Sequence, residues 1–406
     1  MKCGLFGLLL VAVLACARSP EANTSKNNTP QVEVGVLAPK TGFMSGHGNS
    51  IEMGALLAEE YLNAHGGING GRVHVTVLDT TSDPGGAAER ARELIQRVGA
   101  RLLIGTGTSA STLAVIPIST AARVPFIYSL DGECKTCLAG SPSATSHYVW
   151  GSGFTERMAV PPMLNYLAGR FRKPGQPFRL YFIGGDYVYP RTTNAYARSV
   201  ASSLGFTIVG DEYSDTSTRD YTPVIRRILA ANPDLLIVTN PGASGVAFMR
   251  QAQQLGLSQK LPISGFATFD QEAVDAMGSA SEGVFCVNRY SNELPSAVNR
   301  DFVAAFRHRF PDKPLLPGPT AAAGAYGSIL VAAKAMTKAG GTDPEKFYAA
   351  MQGLSMELPQ GKIVVDSANN IFQQPLYIMQ IQSQRYHVVA DLGLQRHPNL
   401  EGCSVK

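Results

Sequence analysis

The stretch FRLYFIGGDYVYPRTTN, residues 178–194, begins as an apolar, β-rich run. It stops at Gly184 and Gly185, and then carries an acid, two tyrosines, a proline and an arginine within six residues. The apolar run reads as a buried strand, the paired glycines as its end, and Pro190 as a residue of the first turn of a following helix. The same rhythm continues downstream. FTIVGDEYS precedes a helical stretch at 221–231, DLLIVTN one at 244–256, and LPISGF one at 270–277, before EGVFCVNRY closes the run. Apolar strands that alternate with helices predict a parallel sheet covered on both faces.

Upstream, the pattern occurs once already. VEVGVL is a strand, and SIEMGALLAEEYLNAHGG has helical spacing and ends at Gly66-Gly67. RVHVTVLD follows as a strand, and Asp83-Pro84 opens a helix through Val98 with Asp83 as its N-cap. RLLIGTG, the helical ASTLAVIPISTAAR and VPFIYS complete this run, and a helix near 155–171 separates it from the second. The tail breaks the rhythm: 296–310 and 319–339 are helical without intervening strands, and GKIVVD, PLYIMQIQ and YHVVADLG read as strands. The fold class is α/β, with two doubly wound parallel-sheet lobes.

The chain has 406 residues, 45% of them hydrophobic, which exceeds one ordinary core and suits two or three domains. Its 35 basic and 31 acidic residues give a formal charge of +4, too balanced to imply a nucleic-acid partner. Met1 and Lys2 precede the short apolar run GLFGLLLVAVLA, so residues 1–15 read as a secretory signal. The run ends in Val13-Leu14-Ala15-Cys16, which resembles the bacterial lipobox and implies a lipid on Cys16; an ordinary signal that contains a cysteine is the alternative. The polar segment 16–31 reads as a flexible tether. These features place the protein outside the cytoplasm, in the periplasm and anchored to a membrane. No later segment is apolar for the roughly 18 residues a membrane-spanning helix needs.

Ligands of open parallel sheets bind beyond the carboxyl ends of the strands. The loops at those ends carry Thr106, Thr108 and Ser109 after the third strand, and Tyr128, Ser129 and Asp131 after the fourth. In the second run they carry Asp186, Tyr187 and Tyr189, then Asn240, then Asp270. Small residues let backbone amides approach a ligand, and a helix start near Thr108 and Ser109 favours an anionic or carbonyl oxygen. Plain capping of that helix by Ser109 is the other reading.

VEVGVLAPKTGFMSGHG, AEEYLNAHGGINGGRV and DTTSDPGGAAERARELI resemble the start of type I periplasmic binding proteins, in the branch of branched-chain amino acid, amide and urea receptors. GGDYVYPRTTN, DYTPVIRRILAANPDLLIVT and GLSMELPQGKIVVD are similar to motifs of the amide and urea members, and together the likeness covers about residues 32–390. It implies a multi-crossing hinge, with 32–152 and 290–350 in the first lobe and 153–289 and 351–400 in the second. It also implies a monomeric receptor that captures a small amino acid, amide or urea-like ligand and delivers it to an ABC permease. Tyr187 and Tyr189 would face the ligand, although both could instead be core aromatics; Arg191 would form a surface or lobe-lobe salt bridge or touch the ligand. Asp186 and Asp270 are the candidates for a ligand ammonium.

The stretch YSLDGECKTCLAGSPSATSHY departs from the aromatic-acid-glycine pattern of the amide and urea receptors; Asp131-Gly132 is the candidate replacement. This departure leaves room for an apolar cargo, such as an aromatic acid or a sterol-like lipid, or for a ligand-sensing module. Cys134 and Cys137 follow the fourth strand rather than the first, so a local disulfide is expected rather than a thioredoxin-like site, and only His147 is near enough to help hold zinc. Cys286 and Cys403 are a second candidate pair. There is no dinucleotide fingerprint, phosphate-binding loop or nucleophile elbow. No cofactor, metal or catalytic group is expected, and His47, a lone loop histidine, reads as solvated.

Overall fold

The computed structural model describes Met1 and residues 31–129, 146–266, 268–269, 271–313 and 320–398. The signal and tether with Cys16, and Asp131, Cys134, Cys137, Asp270 and Cys403, lie outside the described residues.

Short apolar strands set the first lobe. Strands β1 (Gln31–Ala38), β2 (Arg72–Asp79), β3 (Leu102–Gly105), β4 (Phe126–Tyr128) and β5 (Val149–Gly151) form one wholly parallel sheet in the order β2-β1-β3-β4-β5. Helix α1 (Ser45–Ala64) follows β1, α2 (Pro84–Glu93) follows β2 and runs on into a π-helical segment (Leu94–Val98), and α3 (Ser109–Ala122) follows β3. The Asp83 carboxylate accepts from the Gly86 amide at 2.8 Å, so it caps α2 as its sequence implies. Strand β5 has only three residues and was not legible as a strand.

The second lobe repeats the design. Helix α4 (Glu156–Phe171) leads to β6 (Arg179–Gly185), α5 (Val188–Ser203), β7 (Thr207–Ser214), α6 (Thr222–Ala231), β8 (Leu235–Thr239), α7 (Gly242–Gln254), β9 (Ile263–Phe266), α8 (Gln271–Met277) and β10 (Phe285–Asn288). Every residue of β8 and β9 is buried, as expected of strands covered on both faces. Strand β7 pairs on one side only and carries Asp211 and Glu212, charges suited to a sheet edge.

The tail returns to the first lobe. Helix α9 (Ala297–Arg309) touches α1, and α10 (Thr320–Ala339) packs along α1 and over β3, followed by α11 (Pro344–Met351). From Ala321 to Ala333 α10 is buried all round, which its Ala- and Gly-rich sequence permits. Strands β11 (Ser355–Leu358), β12 (Gly361–Val365), β13 (Phe372–Gln382) and β14 (Arg385–Gln395) then join the second sheet, in the order β11-β12-β13-β10-β9-β8-β6-β7 with β14 on β13. Here the structure departs from the expected purely parallel lobes. β13 runs antiparallel to β10, β12 and β14, because hairpins rather than helical crossovers join β11 to β14.

The lobes meet through a hinge the chain crosses three times: after β5, after β10, and between α11 and β11. A bridge between Gly151 and Ile371 stitches the edge of the first sheet to the segment entering β13.

Candidate ligand-binding cleft

The loops at the carboxyl ends of β1 and β6 approach one another from the two lobes. In the first lobe, Asp79 at the end of β2 organises the loop that follows β1. Its carboxylate accepts from the amides of Lys40 (2.9 Å), Thr41 (3.2 Å) and Thr81 (2.8 Å) and from the Thr41 hydroxyl (2.7 Å). Burial alone would raise its pKa, but these donors prevail and hold it below the usual carboxylate range. The loop so pinned presents Phe43, which is half-exposed, and leads into the first turn of α1, which carries His47.

Phe43 meets the second lobe. Its ring lies edge-on to Tyr187, with centroids 6.2 Å apart and planes at 69°, and Tyr187 in turn lies 6.3 Å from Tyr189. Tyr187 is the residue that precedes α5, where the glycine-ended strand β6 gives way to helix. Gly185 makes room for it: a Cβ there would stand 2.8 Å from the Tyr187 ring. Burial, and then the neighbouring Tyr189, raise the Tyr187 phenol well above its ordinary pKa, so it remains a neutral hydroxyl.

The other sequence candidates are distributed as follows. Thr108, not Ser109, caps α3: its oxygen accepts from the Ser111 amide at 3.2 Å, and its hydroxyl donates to Ser111 Oγ at 2.8 Å. Ser109 is nearly buried in the next position, with no hydrogen bond from its hydroxyl among the described residues. The Thr106 hydroxyl is 2.6 Å from that of Thr112 and is used inside the lobe. Tyr128 packs with Leu37, Phe126 and Val149, so its ring is committed to the first lobe's core. Ser129 is fully buried, and its hydroxyl has no partner among the described residues.

In the second lobe, Tyr189 is buried and donates its hydroxyl to the Phe266 carbonyl. Asn240 is buried too; its amide donates to the Tyr221 hydroxyl and its oxygen accepts from Ser244, both at 2.8 Å, which fixes the loop between β8 and α7. Asp186 is half-exposed and pairs with Arg191 at 2.8 Å, and the Arg191 hydrogen bond holds the carboxyl low. Arg191 also stacks on Tyr213, 3.8 Å from its centroid, so its partners all belong to the surface of the second lobe.

Sequence reasoning passed over three residues here. Phe43 went unnamed in a candidate loop whose glycines and hydroxyls drew the reading instead. His47 was expected to be solvated, but burial first, and then the charge of Arg289, lower its pKa to about 4. Arg289, in the apparent continuation of a strand, is a fully buried cation whose Nη1 and Nη2 donate to the carbonyls of Ser152 and Ser129.

Residues 31–385 match the model of the periplasmic binding protein family, and the chain belongs to that family. Among relatives it is similar to the leucine-, isoleucine-, valine-, threonine- and alanine-binding protein of Pseudomonas aeruginosa, with 23% identity over 84% of this chain and 87% of that protein. It is 25% identical to Leu/Ile/Val-binding protein homolog 8 of Brucella suis, over 87% of each chain. Among solved structures it resembles an amino acid ABC transporter substrate-binding protein of Pseudomonas fluorescens, with a TM-score of 0.82, 20% identity, and 92% of this chain and 99% of that one covered. It also resembles a solute-binding protein of an ABC transporter from Rhodopseudomonas palustris in complex with 3,4-dihydroxybenzoic acid, with a TM-score of 0.76, 26% identity, and 90% and 95% covered.

Proposed function

We propose that this chain is an extracytoplasmic solute receptor that closes on a small ligand and presents it to an ABC permease. The observation that carries this reading is the approach of Phe43 and Tyr187 from opposite lobes at the strand tips. A ligand there touches both lobes at once, and only differential affinity for the closed form can drive closure, on the order of 5 kcal/mol for a nearly complete shift. Thr108, Ser109 and Ser129 contribute hydroxyls from the first lobe and Tyr187 a ring and a hydroxyl from the second, a set that suits an amino acid, amide or urea-like ligand. The cleft binds rather than transforms its ligand.

The aromatic edge favours a second cargo, a small aromatic acid, whose ring would lie against Phe43 and Tyr187. The Rhodopseudomonas palustris complex with 3,4-dihydroxybenzoic acid supports it. Lipidation of Cys16, a tether over 16–31, a Cys134–Cys137 disulfide, a monomeric state, and lobes made of 32–152 with 290–350 and of 153–289 with 351–400 complete the reading. Titration calorimetry of the purified protein against amino acids, amides, urea and hydroxybenzoates tests it: binding of one compound, returned chemically unchanged, is expected. Turnover of the bound compound, or no heat from any of them, overturns it.

A further inference from the structure

Strand alternation sorts the tip of β4 between two faces of the first sheet. Phe126 and Tyr128 enter the core shared with α2 and α3, whereas Ile127 enters the core shared with α1 and α10. Ser129 is therefore turned towards the α1 and α10 face. Its hydroxyl is fully buried there and has no hydrogen-bond partner among the described residues. Helix α1 brings His47 close enough to Arg289 to feel its charge, and its Nε2 is likewise shut from solvent, with no hydrogen-bond partner among the described residues. Arg289 arrives from the end of β10: its Nη2 donates to the Ser129 carbonyl at 3.4 Å and stands 2.4 Å from where a Cβ on Gly324 of α10 would be. Three polar groups from three segments thus converge where a strand-tip ligand would end.

We propose that His47 Nε2 and Ser129 Oγ together bind a carboxylate on the ligand, and that His47 is a specificity-determining residue of the cleft. The inference rests on the cleft being the ligand site. A neutral imidazole offers one donor and one acceptor, and a serine hydroxyl rotates to donate. The guanidinium of Arg289 behind them makes an anionic acceptor oxygen a better guest than a donor nitrogen. A buried polar atom left unpaired in the empty protein is a penalty the ligand relieves on binding. A site of that kind rejects a guest that cannot supply the partner. The arrangement leaves the rest of the ligand to run outward towards Phe43 and Tyr187.

The test is calorimetry on the full chain with benzoate, 4-hydroxybenzoate and L-leucine as carboxylates and benzamide as the neutral match of benzoate, with His47→Phe, His47→Gln and Ser129→Ala as variants. At least one carboxylate is expected to bind. Benzamide and His47→Phe should each lose affinity by about tenfold or more, while His47→Gln, which keeps a donor, recovers most of it at an unchanged melting temperature. Full affinity in His47→Phe, or equal binding of benzoate and benzamide, overturns the proposal. If no probe binds, the receptor reading fails for these ligands, and ring nitrogen NMR of the ligand-free protein still decides the inference. An Nε2 without a hydrogen bond upholds it, and an Nε2 bonded within the protein overturns it.

Discussion

Replacing Gly54 by alanine probes the packing on which the cleft is built. Gly54 sits mid-helix in α1, buried where α1 crosses α10. A Cβ added there would lie 2.1 Å from the Ala322 carbonyl oxygen and 2.7 Å from its carbon. Non-bonded heavy atoms settle near 3.5 Å, so the two helices must part by about 1 Å, and neither partner atom is a flexible side chain. Overpacking of this kind costs about 3 kcal/mol at its upper range, and the helical preference of alanine over glycine returns about 1. The net loss of about 2 kcal/mol should lower the melting temperature by roughly 4–8 °C. Gly169 is the control: it is exposed near the end of α4 and a Cβ there meets nothing within 4 Å. Gly169→Ala should hold or slightly raise the melting temperature, because only the propensity gain remains. Differential scanning calorimetry of both variants decides the matter. A Gly54→Ala protein that melts at or above the wild type would refute the close α1–α10 approach, and with it the position of the turn that carries His47.

Phe43→Ala removes one side of the edge-to-face pair across the cleft, an interaction worth about 0.5–1.5 kcal/mol, so affinity for a ligand bound in the closed form should fall about two- to tenfold. Calorimetry reads the loss, and an unchanged affinity with either 4-hydroxybenzoate or L-leucine counts against lobe-to-lobe contact through this ring. His47 and His397 both have pKa values lowered to about 4, mainly by burial. The unfolded chain therefore takes up protons that the folded chain refuses as pH falls from about 6.5 towards 4, and each histidine withdraws about 2 kcal/mol of stability by pH 5. Melting temperatures measured from pH 7 to 4.5 should decline across that window; a flat profile would mean that the two rings are not held neutral in the fold.

The lobes were legible because their strands are apolar runs bounded by glycine and their helices begin with recognisable caps; RVHVTVLD occupies its strand residue for residue, and Asp83 caps α2. Two of the missed elements, β5 and β11, have three and four residues, too short for a period to declare itself. The mixed character of the second sheet was hidden for another reason: an apolar strand looks the same whether its neighbour runs parallel or antiparallel, and only pairing distinguishes them. Residue type alone singled out Tyr187 and Tyr189 together; only the fold sets Tyr187 against Phe43 and spends the Tyr189 hydroxyl, two positions on, on the Phe266 carbonyl. Asp186 likewise had the chemistry of a ligand acid, yet it is paired with Arg191, five residues further on. His47 was misjudged because burial is a tertiary property. The loop that brings it inward is fastened by Asp79, 32 positions away in sequence.

A hinge that joins two lobes must allow rotation without letting the lobes slide, and the bonding around Ser152 meets that need. Its carbonyl, in the crossing after β5, accepts from Arg289 of the crossing after β10 and from Gln374 Nε2 of β13 at 3.0 Å. Its amide donates to the Tyr128 carbonyl at 2.9 Å, and its hydroxyl accepts from Ser328 of α10 at 2.7 Å. Two of the connecting segments, a strand of the second sheet and α10 of the first lobe are thus fastened at one buried point. Turning one lobe about that point moves these atoms least, whereas translation would break charge-assisted and neutral bonds together at a buried point. Arg289 is bonded to Ser152 and to Ser129 at once. The pivot and the floor of the cleft therefore share one guanidinium. A ligand that takes up Ser129 and His47 acts within one side chain of the axis, and its far end at Phe43 and Tyr187 has the lever arm that draws the lobes together.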